Sequence, residues 1–370
     1  MTPYVFMIII WVVLFYYLLY RNEGISEEGI EKRKRIFVWL AGITLFVIMG
    51  FRNENVGVDT PRYLSRYHAS AFTKWDVFSN WDNWLELENE LGFSLAGKIL
   101  YEWKVSDTLY LIIYGFFISL CISRLIYKHS KNPFWGFYLH TTIGLFTMSM
   151  SGMRQAIACC VCWLAIDYIM EKKPIRFILT VLLATTFHQS AIFFLVFYFA
   201  RFIKIKKVSG WILAGFSVAC LFLRPILVPI LSHFMPEKYE MYGLASDKHQ
   251  VNPLLVAVAL LIPIFCLFFW ERRKIKDEKE DRFYSLCFAG SFLYGIIQVL
   301  SISSNMIGRM NQYFYIFNVI LLGNIITDIE DRNTRYIASA FAILLPGYMF
   351  FKSMSLGIAP YYFSWQVYGS

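Results

Sequence analysis

The sequence predicts an all-α protein: a polytopic bundle of about ten membrane-spanning helices plus one short half-depth hairpin. Three observations predict it. Hydrophobic residues make up 58% of the chain and charged residues only 16%, against about 25% charge in soluble domains; the mean hydropathy is +0.50. Apolar runs near the ~20 residues that cross a bilayer recur from end to end. No hydrophilic stretch is long enough to fold as a soluble domain of its own, so residues 1–370 read as a single membrane domain.

The spans fall at 2–20, 36–51, 107–127, 133–150, 156–170, 208–230, 254–270, 283–302, 312–326 and 336–351. The first lacks a basic leader region and a small-residue cleavage site, and the KRKR cluster follows it, so it reads as a helix that stays. One further apolar stretch, 177–200, is broken by "FHQSA" and flanked by "EKKPIR" (171–176) and "RFIKIKK" (201–207). Basic loops collect on the cytoplasmic side, so this stretch must enter and leave on the same face. It is then a hairpin of two helices of about 11 residues, each ~17 Å long and too short to span. Half-depth helices persist only where they line protein or a water-filled cavity, which puts His188, at the turn, inside the membrane domain.

This topology places both termini and two large segments on the outer face. Residues 52–106 carry Trp75, Trp81, Trp84 and Trp103 among Asp76, Asp82, Glu86, Glu88 and Glu90, with an amphipathic run, "ENELGFSLAGKILYEWKV". Residues 231–253 form the second. The net charge of +9 is accounted for by the cytoplasmic loops, so no nucleic-acid partner is implied. The seven cysteines lie within apolar runs and the six histidines are scattered. Neither set has metal-ligand spacing, and no Walker, GxGxxG or GxSxG motif occurs, so no metal and no cofactor is expected.

The residues that could carry chemistry sit at the outer boundary. "MSMSGMRQAIACC" (148–160) sets Arg154 and Gln155 among Ser149, Ser151 and Gly152, small residues that let helices approach closely. Arg52, Arg62 and Arg66 in "GFRNENVGVDTPRYLSRY", Arg309 in "SSNMIGRMNQYF" and His188 lie at the same depth. A lone boundary arginine reads as readily as a snorkelling side chain or an interface salt bridge. Several converging on one outer cavity would instead match a pyrophosphate, because guanidinium forks pair with phosphate oxygens. Asp59 either caps the helix that opens at Pro61 or takes a proton from an acceptor hydroxyl. His188 either bonds a freed carbonyl at the turn or serves as a base near neutral pH. The acidic, tryptophan-rich loop suits carbohydrate and an interfacial aromatic belt equally.

Taken in order, "FRNENVGVDTPRYLSRY", "SGMRQAIA", "LLATTFHQSAIFFL" and "GRMNQYF" resemble the EpsG-type family of polysaccharide polymerases, akin to the Wzy-type polymerases of capsule and O-antigen synthesis, over essentially the whole chain. The resemblance implies a metal-independent glycosyltransferase of the bacterial cytoplasmic membrane, its site facing the periplasm or exterior. It would transfer a growing glycan from undecaprenyl pyrophosphate to a sugar hydroxyl of the next lipid-linked repeat unit, with inversion at the anomeric carbon. Its partners would be the lipid-linked oligosaccharide, the growing exopolysaccharide, and a chain-length regulator and flippase of the same pathway. On this resemblance Arg154 and Arg309 hold the pyrophosphate, supported by Arg52 with Gln155 and Arg62. His188 is the first choice for the base or acceptor-orienting group and Asp59 the second. One departure is Gly152-Met153 ahead of Arg154, where the family often has a polar residue. Rival readings are a transporter or flippase of a lipid-linked or anionic solute, an acyltransferase with His188 as base, and a non-enzymatic assembly subunit.

Overall fold

The computed structural model describes residues 2–21, 24–86, 90–143, 145–233, 253–357 and 361–366. Helices account for 83% of it, and no strand occurs among the described residues. In chain order the helices are α1 Thr2–Phe15, α2 Glu27–Gly50, α3 Thr60–Ala69, α4 Asp76–Ser79, α5 Trp81–Leu85, α6 Leu91–Glu102, α7 Asp107–His129, α8 Pro133–Thr142 and α9 Leu145–Ser151. Then come α10 Met153–Leu164, α11 Ile166–Met170, α12 Pro174–Phe187, a 3₁₀ helix Gln189–Phe202, α13 Lys207–His233, α14 Pro253–Phe268, α15 Glu278–Leu300, α16 Asn305–Met310, α17 Tyr315–Asp328 and α18 Arg332–Gly357. Among the described residues six segments are long and apolar enough to cross a membrane, and four shorter helices are apolar as well. The chain is a polytopic helical membrane protein.

Contacts divide it into two compact units: Met1–Ile166 with Ile178–Ile192 and Ser339–Ser370, and Asp167–Phe177 with Phe193–Ala338. In the first, α2 and α7 form the central pair. Ser26 and Ser106 cap them, accepting from the amides of Gly29 and Leu109. Along α2 the buried residues Phe37, Val38, Ala41, Leu45, Ile48 and Met49 recur at three- and four-residue steps and make one apolar face. Glycine sets the closest approach, since a Cβ on Gly115 would stand 2.7 Å from the backbone of Gly50. The run 133–150, expected as one span, is instead two helices, α8 and α9, and the chain turns again at Gly152 before α10. Thr141, Thr142, Ser149 and Ser151 crowd this stretch, and their hydroxyls compete with the helical ladder; Thr142 bonds back to the Tyr138 carbonyl at 2.8 Å.

The apolar stretch around His188 is two helices of 14 residues each, α12 and the 3₁₀ helix, longer than the 11 residues expected. The Phe177 ring lies 6.0 Å from Phe194 and 5.2 Å from Tyr198, so the second helix returns along the first. In the 3₁₀ segment Ala191, Phe194, Phe197 and Ala200 are buried while Val196, Phe199 and Phe202 are exposed. That strict three-residue step matches the 3.0 residues per turn of a 3₁₀ helix, whose i and i+3 side chains eclipse.

In the second unit α15 packs against α17, with Gly290 admitting the Phe317 ring. The Tyr284 hydroxyl donates to Asp328 at 2.6 Å, and the Arg273 guanidinium lies 3.4 Å over the Trp270 ring. All seven cysteines are buried free thiols. Residues 234–252, most of the second outer loop expected at 231–253, lie outside the described residues.

Candidate functional site

The loop between α2 and α3 is built to hold the turn that precedes Arg154. Gly57 has φ +93°, and a Cβ there would meet the Met150 carbonyl oxygen at 2.6 Å and Thr60 Oγ1 at 2.8 Å; only glycine tolerates both. Thr60 Oγ1 donates to the Val56 carbonyl at 2.7 Å and lies 3.3 Å from that of Met150, and the Val58 amide donates to Ser151 Oγ at 3.3 Å. The chain's last described segment clasps the same loop. Asn53 N donates to the Tyr362 carbonyl and Ser364 N to that of Phe51, both at 2.8 Å.

Arg52 belongs to this clasp. Its side chain is 1% exposed. Nη1 donates to the Met49 carbonyl, and Nη2 approaches the Met150 carbonyl at 3.4 Å and Met153 Sδ at 3.0 Å. Burial pushes the guanidinium down to about 10, so it keeps its charge at neutral pH. Its role is to fasten the Met150 turn to the end of α2.

Arg154 stands on the first turn of α10. Its Nη1 pairs with the carboxylate of Glu90, whose side chain is 7% exposed against 22% for Arg154. The Arg154 Cζ lies 5.7 Å from the centroid of Tyr63 on α3, and its buried Nε has no hydrogen-bond partner. Glu90 holds a left-handed backbone, φ 46° and ψ 48°, as α6 begins. Helix α3 presents Arg62, Tyr63 and Arg66 within one turn. Burial first, then the like charge of Arg154, holds the Arg66 guanidinium below its ordinary value; Arg62 pushes the same way and the Tyr63 phenol opposes it. Arg66 thus lies within electrostatic reach of Arg154, Arg62 and Tyr63. Arg66 also lines a hollow of about 170 Å³ with the hydroxyl-bearing Ser70, Thr73 and Ser94.

His188 reaches the same end of the unit. Gly92, two residues after Glu90, packs so closely on α12 that a Cβ would stand 2.1 Å from Thr186 Oγ1. His188 is buried, and its Nδ1 lies 3.3 Å from the Ser190 amide and 2.8 Å from Ser190 Oγ. An amide can only donate, so Nδ1 accepts and the neutral ring carries its proton on Nε2. Beside this lies an apolar cavity of about 320 Å³ lined by residues including Leu100, Ile113, Tyr114, Ile157 and Phe187.

Asp59 occupies the cap position of α3, but its side chain makes no cap hydrogen bond, and it is partly exposed. The capping reading is therefore set aside. Gln155 is buried beneath Arg154, and Arg62 is exposed. Arg309 is an exposed residue of α16 in the second unit. Among the described residues no three His, Cys, Asp or Glu side chains gather as metal ligands.

A family model described as the EpsG family matches residues 35–368. The chain belongs to the EpsG family. No curated protein and no solved structure matches it. Membership makes it a membrane protein of polysaccharide synthesis, in a family associated with polysaccharide polymerisation of the glycosyltransferase kind. The matched span contains the Gly57 loop, the Arg154 turn, the His188 turn and Arg309.

Sequence reasoning passed over Glu90 as the partner of Arg154. It stands in an acidic, tryptophan-rich run that reads as a solvated loop. The one local signal is its place just ahead of the amphipathic α6, and nothing local links it to a residue 64 positions away.

Proposed function

We propose that this EpsG-family protein polymerises lipid-linked glycan repeat units at the outer face of the bacterial cytoplasmic membrane. It transfers the growing glycan from undecaprenyl pyrophosphate to a sugar hydroxyl of another lipid-linked unit. One observation carries the reading: Arg154 lies over the Tyr63 ring and within electrostatic reach of Arg66, at the end of the unit where an apolar cavity opens one helical turn from Arg154, at Ile157. The arginines suit a diphosphate, and the cavity suits an isoprenoid chain.

The acceptor oxygen attacks the anomeric carbon as the bond from that carbon to the pyrophosphate oxygen breaks. The leaving group gains negative charge in the transition state, and preformed guanidinium forks stabilise it there more than in the ground state. Arg154 and Arg66 hold the diphosphate, Arg62 adds charge, and no divalent ion is required. Glu90 keeps Arg154 extended toward the site before substrate arrives. Arg52 and Gln155 hold the turn beneath it. Displacement in one step inverts the anomeric centre. A flippase of the same pathway supplies the units, and a chain-length regulator limits the product.

The tautomer of His188 divides the acid–base work. With its proton on Nε2, the ring donates a hydrogen bond and orients the acceptor or a phosphate oxygen. Asp59, whose carboxylate is not spent on capping, takes the acceptor's proton. His188→Gln, which keeps a donor, therefore retains most polymerisation, whereas His188→Ala loses about 10²-fold. Equal collapse of both variants would make His188 the base.

Glu90→Gln keeps a hydrogen bond to Arg154 but removes the charge. It leaves the protein folded and slows chain growth roughly tenfold, read as shorter glycan ladders at fixed time; unchanged ladders would confine Glu90 to a structural part. The decisive test is purified protein in liposomes with lipid-linked repeat units and a chelator. A ladder of lengthening glycans is expected. Single units that only change sides of the membrane would replace this reading with a flippase.

A further inference from the structure

Helices α2 and α7 form a second feature that the transfer reaction leaves unused. Their packed faces leave an outward groove of about 370 Å³ lined by residues including Trp39, Ile43 and Phe46 of α2 and Phe116 and Leu120 of α7. Trp39 is 64% exposed and Phe116 53%, so the groove opens to the bilayer.

The pair is antiparallel: Gly50 lies against Gly115, Gly42 against Ser123, and the Tyr127 hydroxyl donates to Glu31 at 2.7 Å. Arg35 and Arg124 both line the groove. Lys34, 5.5 Å from the Tyr127 ring, adds a third cation to Arg35 and Arg124 beside Glu31. Within the groove the buried Ser123 Oγ has no hydrogen-bond partner.

An apolar groove lined by two arginines is complementary to one amphiphile. We propose that this groove binds an anionic phospholipid, its phosphate on Arg35 and Arg124 and one acyl chain along Trp39, Ile43, Phe46, Phe116 and Leu120. Guanidinium forks match the phosphate, and an anionic head group gains about 1 kcal/mol per cationic side chain at the surface, roughly fivefold in binding. A second copy of the chain docked here about a two-fold axis would set two arginine pairs against each other, which disfavours that occupant. The proposal is independent of the transfer chemistry.

Trp39 lies in the groove and is its own reporter. The protein is reconstituted in phosphatidylcholine bilayers containing either dibrominated phosphatidylglycerol or dibrominated phosphatidylcholine. The Trp39 signal is isolated by difference from Trp39→Phe. With two arginines engaged, phosphatidylglycerol should quench Trp39 at a roughly 30-fold lower mole fraction than phosphatidylcholine. The double variant Arg35→Gln, Arg124→Gln should lose that preference while phosphatidylcholine quenching and the helical circular dichroism stay unchanged, which also shows that it folds. Equal quenching by the two lipids in the wild type, or a preference that survives in the double variant, overturns the proposal. So does efficient disulfide crosslinking of two copies through Leu120→Cys, which would make the groove a subunit interface.

Discussion

Cells in which Arg154 is replaced by lysine are expected to make no polymer, although the protein reaches its normal level in the membrane. Lysine keeps the positive charge and its pairing with Glu90, but offers a point charge where arginine offers a planar fork. If the fork stabilises the departing pyrophosphate, the loss falls on the transition state and exceeds about 10²-fold in rate. Arg154→Ala has the same outcome and adds an unpaired carboxylate at Glu90, which is 7% exposed. The measurement is the length distribution of lipid-linked glycans. Single repeat units accumulating at the outer face support the site. Full-length polymer in either variant makes Arg154 a structural boundary arginine, and units stalled at the cytoplasmic face point to transport.

Gly57→Ala destabilises the first unit by at least about 2 kcal/mol and silences the site with it. Two costs combine. The backbone sits at φ +93°, and the new methyl would press on the Met150 carbonyl oxygen at 2.6 Å. That carbonyl faces Arg52 and Thr60, so the backbone cannot yield without moving the turn that carries Arg154. Gly24→Ala is the control: φ is +75° there, yet nothing lies within 4 Å, so the change costs only about 1 kcal/mol. Thermal unfolding in detergent, monitored by circular dichroism, reads both. If Gly57→Ala unfolds at the same temperature as Gly24→Ala, the loop is not the support described.

The membrane class was legible because it rests on composition and on the length of apolar runs, quantities that need no tertiary contact. The break at "FHQSA" was legible for a similar reason, since polar residues interrupt an otherwise continuous run. Its helix type was not, because a three-residue step of Ala and Phe is visible only once burial is known. The split of 133–150 into α8 and α9 escaped the hydropathy reading, which averages over the Thr and Ser hydroxyls that compete for the backbone.

The site divides along the same line. By itself the sequence determined that the chain is an all-α membrane protein and that it carries the ordered blocks of the EpsG family. These follow from local residue chemistry and order along the chain. Only the tertiary structure decided which partners each arginine meets. It buried Arg52 on backbone carbonyls, brought Arg66 within electrostatic reach of Arg154, set Arg154 over the Tyr63 ring, and gave it a carboxylate from Glu90. The physical reason is desolvation: a guanidinium taken out of water must find acceptors, and which ones it finds depends on helices that meet only after the chain has folded.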